Sequence, residues 1–322
     1  MTDSVKKPSE IQKISQDVSD EMQKSIVGHG DIVQSLMIAL LTGGHVLIEG
    51  LPGTAKTSLA VAFAHSVDLS LKRIQATPDL MPGDITGTRI YNPKKLEFEF
   101  KSGPIFSNIV LVDEINRAPP RTQAALLEAM QETQVTVDGI TSQLDQPFIV
   151  IATKNPIEFE GTFPLSPAQL DRFMFRLLLS YPSKEREVEI LKMFTKTGGD
   201  IKPVVKSSTL ISAKKVIQKD VKTDDDVLDY VAKVVRQTRG LPQVLLGASP
   251  TGSVALLNAS KGFAAVVHGR DHVIKQDVKE IAFDVLNHRI VVKQEDLYSD
   301  EGEGGYGINK LRGILKQSVE SV

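Results

Sequence analysis

No cysteine occurs anywhere in the 322 residues. That absence removes disulfides, thiolate metal sites and thiol catalysis together, and it fits a reducing compartment. Charge of one sign is equally scarce: 38 Lys and Arg against 40 Asp and Glu leave a formal net charge of -2, so there is no bulk attraction to nucleic acid or to an anionic membrane. No apolar run approaches a membrane span, and Met1 to Gln23 is polar and charged, without an apolar core of signal-peptide length. These absences predict a soluble, cytoplasmic chain with no membrane insertion and little call for nucleic acid. The remaining composition, 41% hydrophobic and 24% charged, is that of a packed globular protein, and the length fits about two domains.

Within that background one stretch stands out: Gly50-Leu51-Pro52-Gly53-Thr54-Ala55-Lys56-Thr57, preceded by the apolar run His45 to Ile48 and followed by a helical pattern from Ser58 to Val67. A strand entering a glycine-rich turn and then a helix aims backbone N–H groups and a positive helix end at one point, as a polyphosphate requires. Lys56 would reach the outer phosphates and the Thr57 hydroxyl would hold a magnesium ion. The strict pattern has a second glycine where Ala55 stands, and a methyl group is expected to be accommodated there with a negative φ.

A second piece of the site follows from Ile109-Val110-Leu111-Val112, an aliphatic run of the kind buried on both faces, which ends in Asp113-Glu114. In parallel sheets ligands bind beyond the carboxyl ends of the strands, so this pair can face Lys56 and Thr57. Asp113 would hold the magnesium ion, and Glu114 would orient and deprotonate an attacking water. Phe148 to Ala152 is another buried strand, followed by Asn155, which can reach the same water or merely cap the loop before Pro156. Leu71 to Ile74 and Phe175 to Leu179 complete five strands separated by helices, predicting a doubly wound parallel α/β sheet. Two hairpins interrupt it, Arg89 to Phe100 and Gln134 to Leu144, the latter around the turn dipeptide Asp138-Gly139. From Asp31 a helical face of Ile32, Val33, Leu36, Met37 and Leu40 is expected, with Asp31 as a possible cap. Ser166-Pro167 predicts a short helix carrying Arg172 near its end, where an arginine serves equally well as a surface ion-pair or dipole partner.

Past Tyr181-Pro182 helical periodicity dominates, in Lys184 to Phe194, Asp225 to Thr238, Ser253 to Val267 and Gln276 to Asn287, and strand signals nearly vanish. The expected organisation is an N-terminal, partly helical extension over residues 1–24, a nucleotide-binding α/β domain over 25–182 and a smaller all-α domain over 183–322. Within the last, the acidic, Gly-rich stretch Asp296 to Gly307 reads as a mobile linker. His268 and His272 are read as surface residues, since no carboxylate lies at metal-ligand spacing.

The phosphate loop, Asp113-Glu114-Ile115-Asn116-Arg117-Ala118-Pro119, the run Gln123 to Glu132, Asn155-Pro156-Ile157-Glu158 and Leu170-Asp171-Arg172-Phe173 together resemble the MoxR family of AAA+ ATPases. The resemblance runs from about Ile26 to Tyr181 and continues more weakly through Gly247-Ala248-Ser249-Pro250 to about Arg289. The family's own loop carries alanine before the lysine. The resemblance implies a P-loop AAA+ core followed by a helical lid, and ATP hydrolysis with Mg2+ in a homo-oligomeric ring, usually a hexamer. On that template Gly50, Pro52, Gly53, Thr54, Ala55, Lys56 and Thr57 bind nucleotide, while Ile26, Val27 and Gly28 pack near the adenine. Thr57 and Asp113 hold the magnesium, Glu114 and Asn155 are catalytic, and Arg172 acts in trans as an arginine finger in the adjacent subunit's site. The family further implies chaperone-like remodelling or maturation of protein partners, some with von Willebrand factor A domains and some receiving metal cofactors. The hairpins would then face the ring axis. Two departures stand against the template: Thr251 occupies a place where many relatives have a sensing arginine, and Lys154 one where a neutral Gln is common. The first leaves open a nucleotide-switched scaffold with little turnover, or another basic residue in the sensing role. A nucleic-acid remodelling ATPase is the third reading, disfavoured by the charge balance.

Overall fold

The computed structural model describes residues 4–156, 161–195, 200–293 and 308–321. The expected linker over 296–307 lies outside them, as do Ile157 and Glu158 of the Asn-Pro motif. Five parallel strands form the central sheet: β1 (Val46–Gly50), β2 (Leu71–Gln75), β5 (Ile109–Asp113), β8 (Ile149–Lys154) and β9 (Phe175–Leu179), in the spatial order β2-β5-β8-β1-β9. The two hairpins form as separate antiparallel ribbons, β3 (Gly87–Asn92) with β4 (Glu97–Ser102) and β6 (Gln134–Val137) with β7 (Ile140–Gln143). Asp138 and Gly139 both take positive φ, the geometry that a two-residue turn matched to strand twist demands.

The strands' period of two divides their side chains between two cores. Val46, Ile48, Ile109, Leu111, Ile149, Ile151, Phe175 and Leu177 point to one face, and Leu47, Val110, Val112, Val150 and Ala152 to the other. The second face is covered by Leu126, Leu127 and Met130 of α5 (Pro120–Glu132). On the first lie α2 (Gly30–Thr42) and α3 (Lys56–Ser66), together with α1 (Pro8–Met22), which buries Ile11, Val18 and Met22 in the same cluster. That apolar cluster runs on without a break into the helices of the C-terminal part: α8 (Ser207–Asp220), α9 (Asp225–Gln237), α10 (Pro250–Val266) and α11 (Lys275–Leu286). Short α4 (Pro82–Thr86), α6 (Pro167–Leu170) and α7 (Lys184–Thr195), and the last helix α12 (Ile308–Glu320), complete the set.

Three local expectations are revised. At the start of α2 the cap position is His29, in the left-handed region at φ 63, and Asp31 lies inside the first turn, where its charge faces the positive helix end. Helix α6 stops at Leu170, so Arg172 lies just beyond it. The helical part also holds a two-stranded antiparallel ribbon, β10 (Val244–Leu246) with β11 (Val291–Val292), too short for a periodic signal.

Candidate active site

The site is assembled by the carboxyl edge of the sheet. From the end of β1 the chain enters the glycine-rich loop and then α3, and from the end of β5 it reaches Asp113 and Glu114, with β8 between them. Gly50 has no room for a side chain, because a Cβ there would lie 2.8 Å from the Leu179 Cβ. Gly53 needs its conformational freedom for a different reason, a φ of 79°. Ala55 does not keep the negative φ expected of it: it sits at φ 60, ψ 22, as the residue preceding the first turn of α3. Left-handed backbone costs a residue with a Cβ about 1 kcal/mol or more, so the loop holds strain where its curvature is tightest.

Lys56 Nζ folds into that curvature and donates to the carbonyls of Gly50 (2.5 Å) and Leu51 (2.8 Å). Thr57 Oγ1 donates to Asp113 Oδ1 at 3.0 Å, and Thr153 Oγ1 reaches the same oxygen at 3.2 Å. Two oxygen ligands side by side on an octahedral magnesium are about 3.0 Å apart when each bond is about 2.1 Å. The hydroxyl and carboxylate therefore already have the chemistry and the spacing for that ion. Asp113 is buried, and its second oxygen accepts from Arg73 Nε at 2.6 Å. Glu114 takes φ 56, another strained position at the site, and its backbone N–H donates to Thr153 Oγ1. Its carboxylate is held by Arg117 at 3.0 Å and by Gln75 at 3.4 Å. Asn155 is buried just past the end of β8.

Sequence reasoning missed Arg73 and Gln75. The clue lies in the register, which sets Gln75 directly beside Asp113, and register is not written in the local pattern of β2. It also missed Glu49, the buried carboxylate one residue before the loop, which binds Arg176 at 2.9 Å and Lys154 at 3.4 Å. Burial opposes ionisation of Glu49, yet the two cations outweigh it and hold the pKa below the ordinary glutamate value. Lys154, the unusual cation beside Asn155, is thereby paired with Glu49.

Beside the loop, Val27, His29, Asp31, Ile32, Tyr181 and Arg186 line a cavity of about 510 Å³. Of the segment expected to pack near the adenine, Val27 lines this cavity, Gly28 lies against Arg186 of its wall, and Ile26 is buried. Burial, reinforced by Arg186 and opposed by Asp31, keeps the pKa of His29 below the ordinary histidine value. Thr251 is exposed in the first turn of α10.

Arg172 is brought nowhere near this edge. It precedes β9 by three residues, and β9 starts opposite Val46, the first residue of β1, so Arg172 lies beyond the amino edge. From Val46 to Gly50 is about 13 Å of strand at about 3.3 Å per residue, before the loop is even reached. Its guanidinium is exposed and donates to Gln131 Oε1 and the Ala168 carbonyl.

Comparison with known proteins agrees with this geometry. Residues 45–175 match the ATPase family associated with various cellular activities (AAA), and residues 236–303 match the AAA lid domain. Bacillus subtilis YeaC, an uncharacterized protein, is 46% identical over 86% of this chain and 86% of its own. Chaperone MoxR1 of Mycobacterium tuberculosis is 42% identical over 90% of this chain and 79% of its own. A crystal structure of a candidate ATPase from Cytophaga hutchinsonii superposes with a TM-score of 0.84 at 40% identity, covering 96% of both chains. A nucleotide-binding α/β core with its lid, and relatives of this similarity along most of their length, establish that the chain belongs to the MoxR family of AAA+ ATPases and hydrolyses ATP.

Proposed function

We propose that the chain works as a homo-oligomeric ring, six subunits on the family's pattern, in which each ATP site is completed by Arg172 of a neighbour. The observation that carries this reading is the placement of Arg172 beyond the amino edge of the sheet while Lys56, Thr57, Asp113 and Glu114 gather at the carboxyl edge. An arginine so placed cannot serve its own site, yet it is exposed to a second copy.

In this reading Lys56 leaves the loop carbonyls for the outer phosphates, with Gly50, Pro52, Gly53, Thr54 and Ala55 lending backbone N–H groups, and the base lies against Ile26, Val27 and Gly28. Thr57 and Asp113 hold the magnesium ion, which supplies charge neutralisation across the phosphates. Glu114, its carboxylate fixed by Arg117 and Gln75, orients the attacking water and takes its proton. Asn155 holds the same water or the terminal phosphate. Arg172 neutralises charge developing on the transferred group, a contribution of ~10³ to 10⁵ in rate where such fingers operate.

The work done with ATP is the remodelling or maturation of protein partners in the cytoplasm, including partners with von Willebrand factor A domains and metal-cofactor insertion. Support comes from the name of the Mycobacterium tuberculosis relative, a chaperone, and from the first hairpin, where Leu96 and Phe98 are 76% and 61% exposed. Apolar groups left so open suit transient protein contacts. The exposed Thr251 favours one alternative, a nucleotide-bound switch with slow turnover.

The deciding experiment measures phosphate release against protein concentration for the wild type, Glu114→Gln, Arg172→Ala and a one-to-one mixture of the two variants. Cooperative dependence, loss in each variant and partial return in the mixture are expected. Activity linear in concentration and unaffected by Arg172→Ala would refute shared sites, and tight ATP binding with slow turnover would establish the switch.

A further inference from the structure

The segment that carries Arg172 is held from an unexpected direction. Three consecutive residues at the end of α11, Asn287, His288 and Arg289, all reach across to residues 171–176. Asn287 Nδ2 donates to the Arg176 carbonyl at 2.9 Å, and His288 Nε2 lies 2.9 Å from the Phe173 carbonyl. Arg289, its side chain 2% exposed, pairs with Asp171 Oδ1 at 2.7 Å and donates to the carbonyls of Asp171, Phe173 and Met174. Ser249, the cap of α10, donates to the other Asp171 oxygen at 2.9 Å. The carbonyls of Asp171, Phe173, Met174 and Arg176 are therefore held by the helical part of the same chain.

Such a cluster is a poor way to fill a core. Asn287 Oδ1 and His288 Nδ1 are buried with no hydrogen-bond partner among the described residues, and a buried ion pair is often no more stable than apolar packing of equal volume. What it does supply is a single geometry, through a planar fork that reads several oxygens at once. Arg289 also packs against the first turn of α10, where Gly252 leaves it room, and its engagement with Asp171 commits it there.

We propose that Asp171, Ser249 and Arg289 form a positioning clamp that sets the presentation of Arg172 to the adjacent subunit, so that the helical part of one subunit governs the rate of hydrolysis in the next. The proposal rests on the finger reading of Arg172, and its test separates the two. In the full-length chain, Asp171→Asn keeps the volume but loses the charge that holds Arg289, and Ser249→Ala removes one hydrogen bond. Asp171→Asn is expected to lower kcat about tenfold, a fraction of what a finger contributes, with the ATP dissociation constant within about twofold of wild type. Ser249→Ala should lower kcat by about threefold on the same grounds. The double variant Asp171→Asn/Arg172→Ala should be no slower than Arg172→Ala alone, because residues acting through one group are not additive. Mixing Asp171→Asn with Glu114→Gln subunits should restore activity, since the defect then lies in what a subunit offers its neighbour. Val234→Ala, which trims a buried side chain of α9 outside the clamp, should lose thermal stability and keep its kcat. A costly Arg172→Ala with kcat at wild-type level in Asp171→Asn and Ser249→Ala overturns the clamp alone. So does a loss that adds to Arg172→Ala and is not restored by mixing. Unchanged hydrolysis in Arg172→Ala removes the finger and the clamp together.

Discussion

His45, at the mouth of β1, makes the stability of the core depend on pH in a calculable way. The ring is buried, Val150 N–H donates to Nδ1 at 3.0 Å, and Nε2 lies 3.0 Å from the Met130 carbonyl. Only the neutral tautomer with its proton on Nε2 satisfies both contacts; a proton on Nδ1 would face the Val150 N–H. Burial, aided by Lys214 and opposed by the Met130 carbonyl, pushes the pKa from 6.5 down to about 4. A base depressed in the folded state contributes stability that is present above its unfolded pKa and is lost as pH falls from 6.5 toward 4. At about 1.36 kcal/mol per unit the full loss is about 3 kcal/mol, of which about 2 has gone by pH 5. Glutamine can accept from Val150 with Oε1 and donate to Met130 with Nε2, and it does not titrate. Urea unfolding of wild type and His45→Gln at pH 7 and pH 5, at one protein concentration, should show the wild type losing about 2 kcal/mol more than the variant. His288, kept below the ordinary histidine value by burial and then by Arg289, is common to both proteins and cancels. Parallel stability profiles would refute the assignment of acid sensitivity to His45.

Three other substitutions have signs fixed by the structure. Ala55→Gly relieves a left-handed alanine and should raise unfolding stability by about 0.5–1 kcal/mol, whereas Gly53→Ala, at φ 79, should lower it by about 1–2, both read by urea titration. Asp284 behaves oppositely to His45: burial and then the nearby Asp31 raise its pKa to about 6, opposed by Arg312. Its charged form therefore destabilises the fold above pH 6, and the penalty disappears below the unfolded value of 3.8. With solvent screening at a partly exposed site, Asp284→Asn should gain about 1–2 kcal/mol at pH 7.5 and nothing at pH 3.5, measured as the difference in urea midpoints.

Much of the site was legible because its signals are local. The aliphatic run into Asp113-Glu114 and the spacing from Gly50 to Thr57 each lie within one strand-turn unit, where chemistry and backbone are specified by neighbours in sequence. Helix α8 was legible too and went unread: Leu210, Ala213, Val216 and Ile217 fall on one buried face. What could not be read depends on pairings far apart in the chain. Arg289 and Asp171 are 118 residues apart, and Lys154 and Glu49 are 105 apart, so neither partner announces the other. The positive φ of Ala55 belongs to the same class. It is imposed by closure of the loop between a fixed strand and a fixed helix, against the local preference of alanine.

The helical part of the chain packs on the helix that lines the cavity beside the phosphate loop and, at the other edge of the sheet, on the segment of Arg172. Helix α10 packs on α2, whose first turn brings His29, Asp31 and Ile32 to the cavity beside the phosphate loop. The end of α11 and the cap of α10 grip the segment of Arg172 at the opposite edge. A rigid sheet alone would hold its two edges at a fixed separation and pass nothing between them. A helical layer that packs at one end on α2, beside the cavity, and at the other on Asp171 offers a second, contiguous route, and packed helices of this kind shift as bodies. Contiguity does not itself transmit anything; the layer must favour different positions with and without nucleotide. If it does, and Arg172 acts in trans as proposed, the occupancy of one site is expressed as the position of the arginine offered to the next, and the proposed clamp would make hydrolysis around the proposed ring sequential. Cooperativity in ATP should therefore fall toward independent sites in Asp171→Asn even where the remaining rate is measurable.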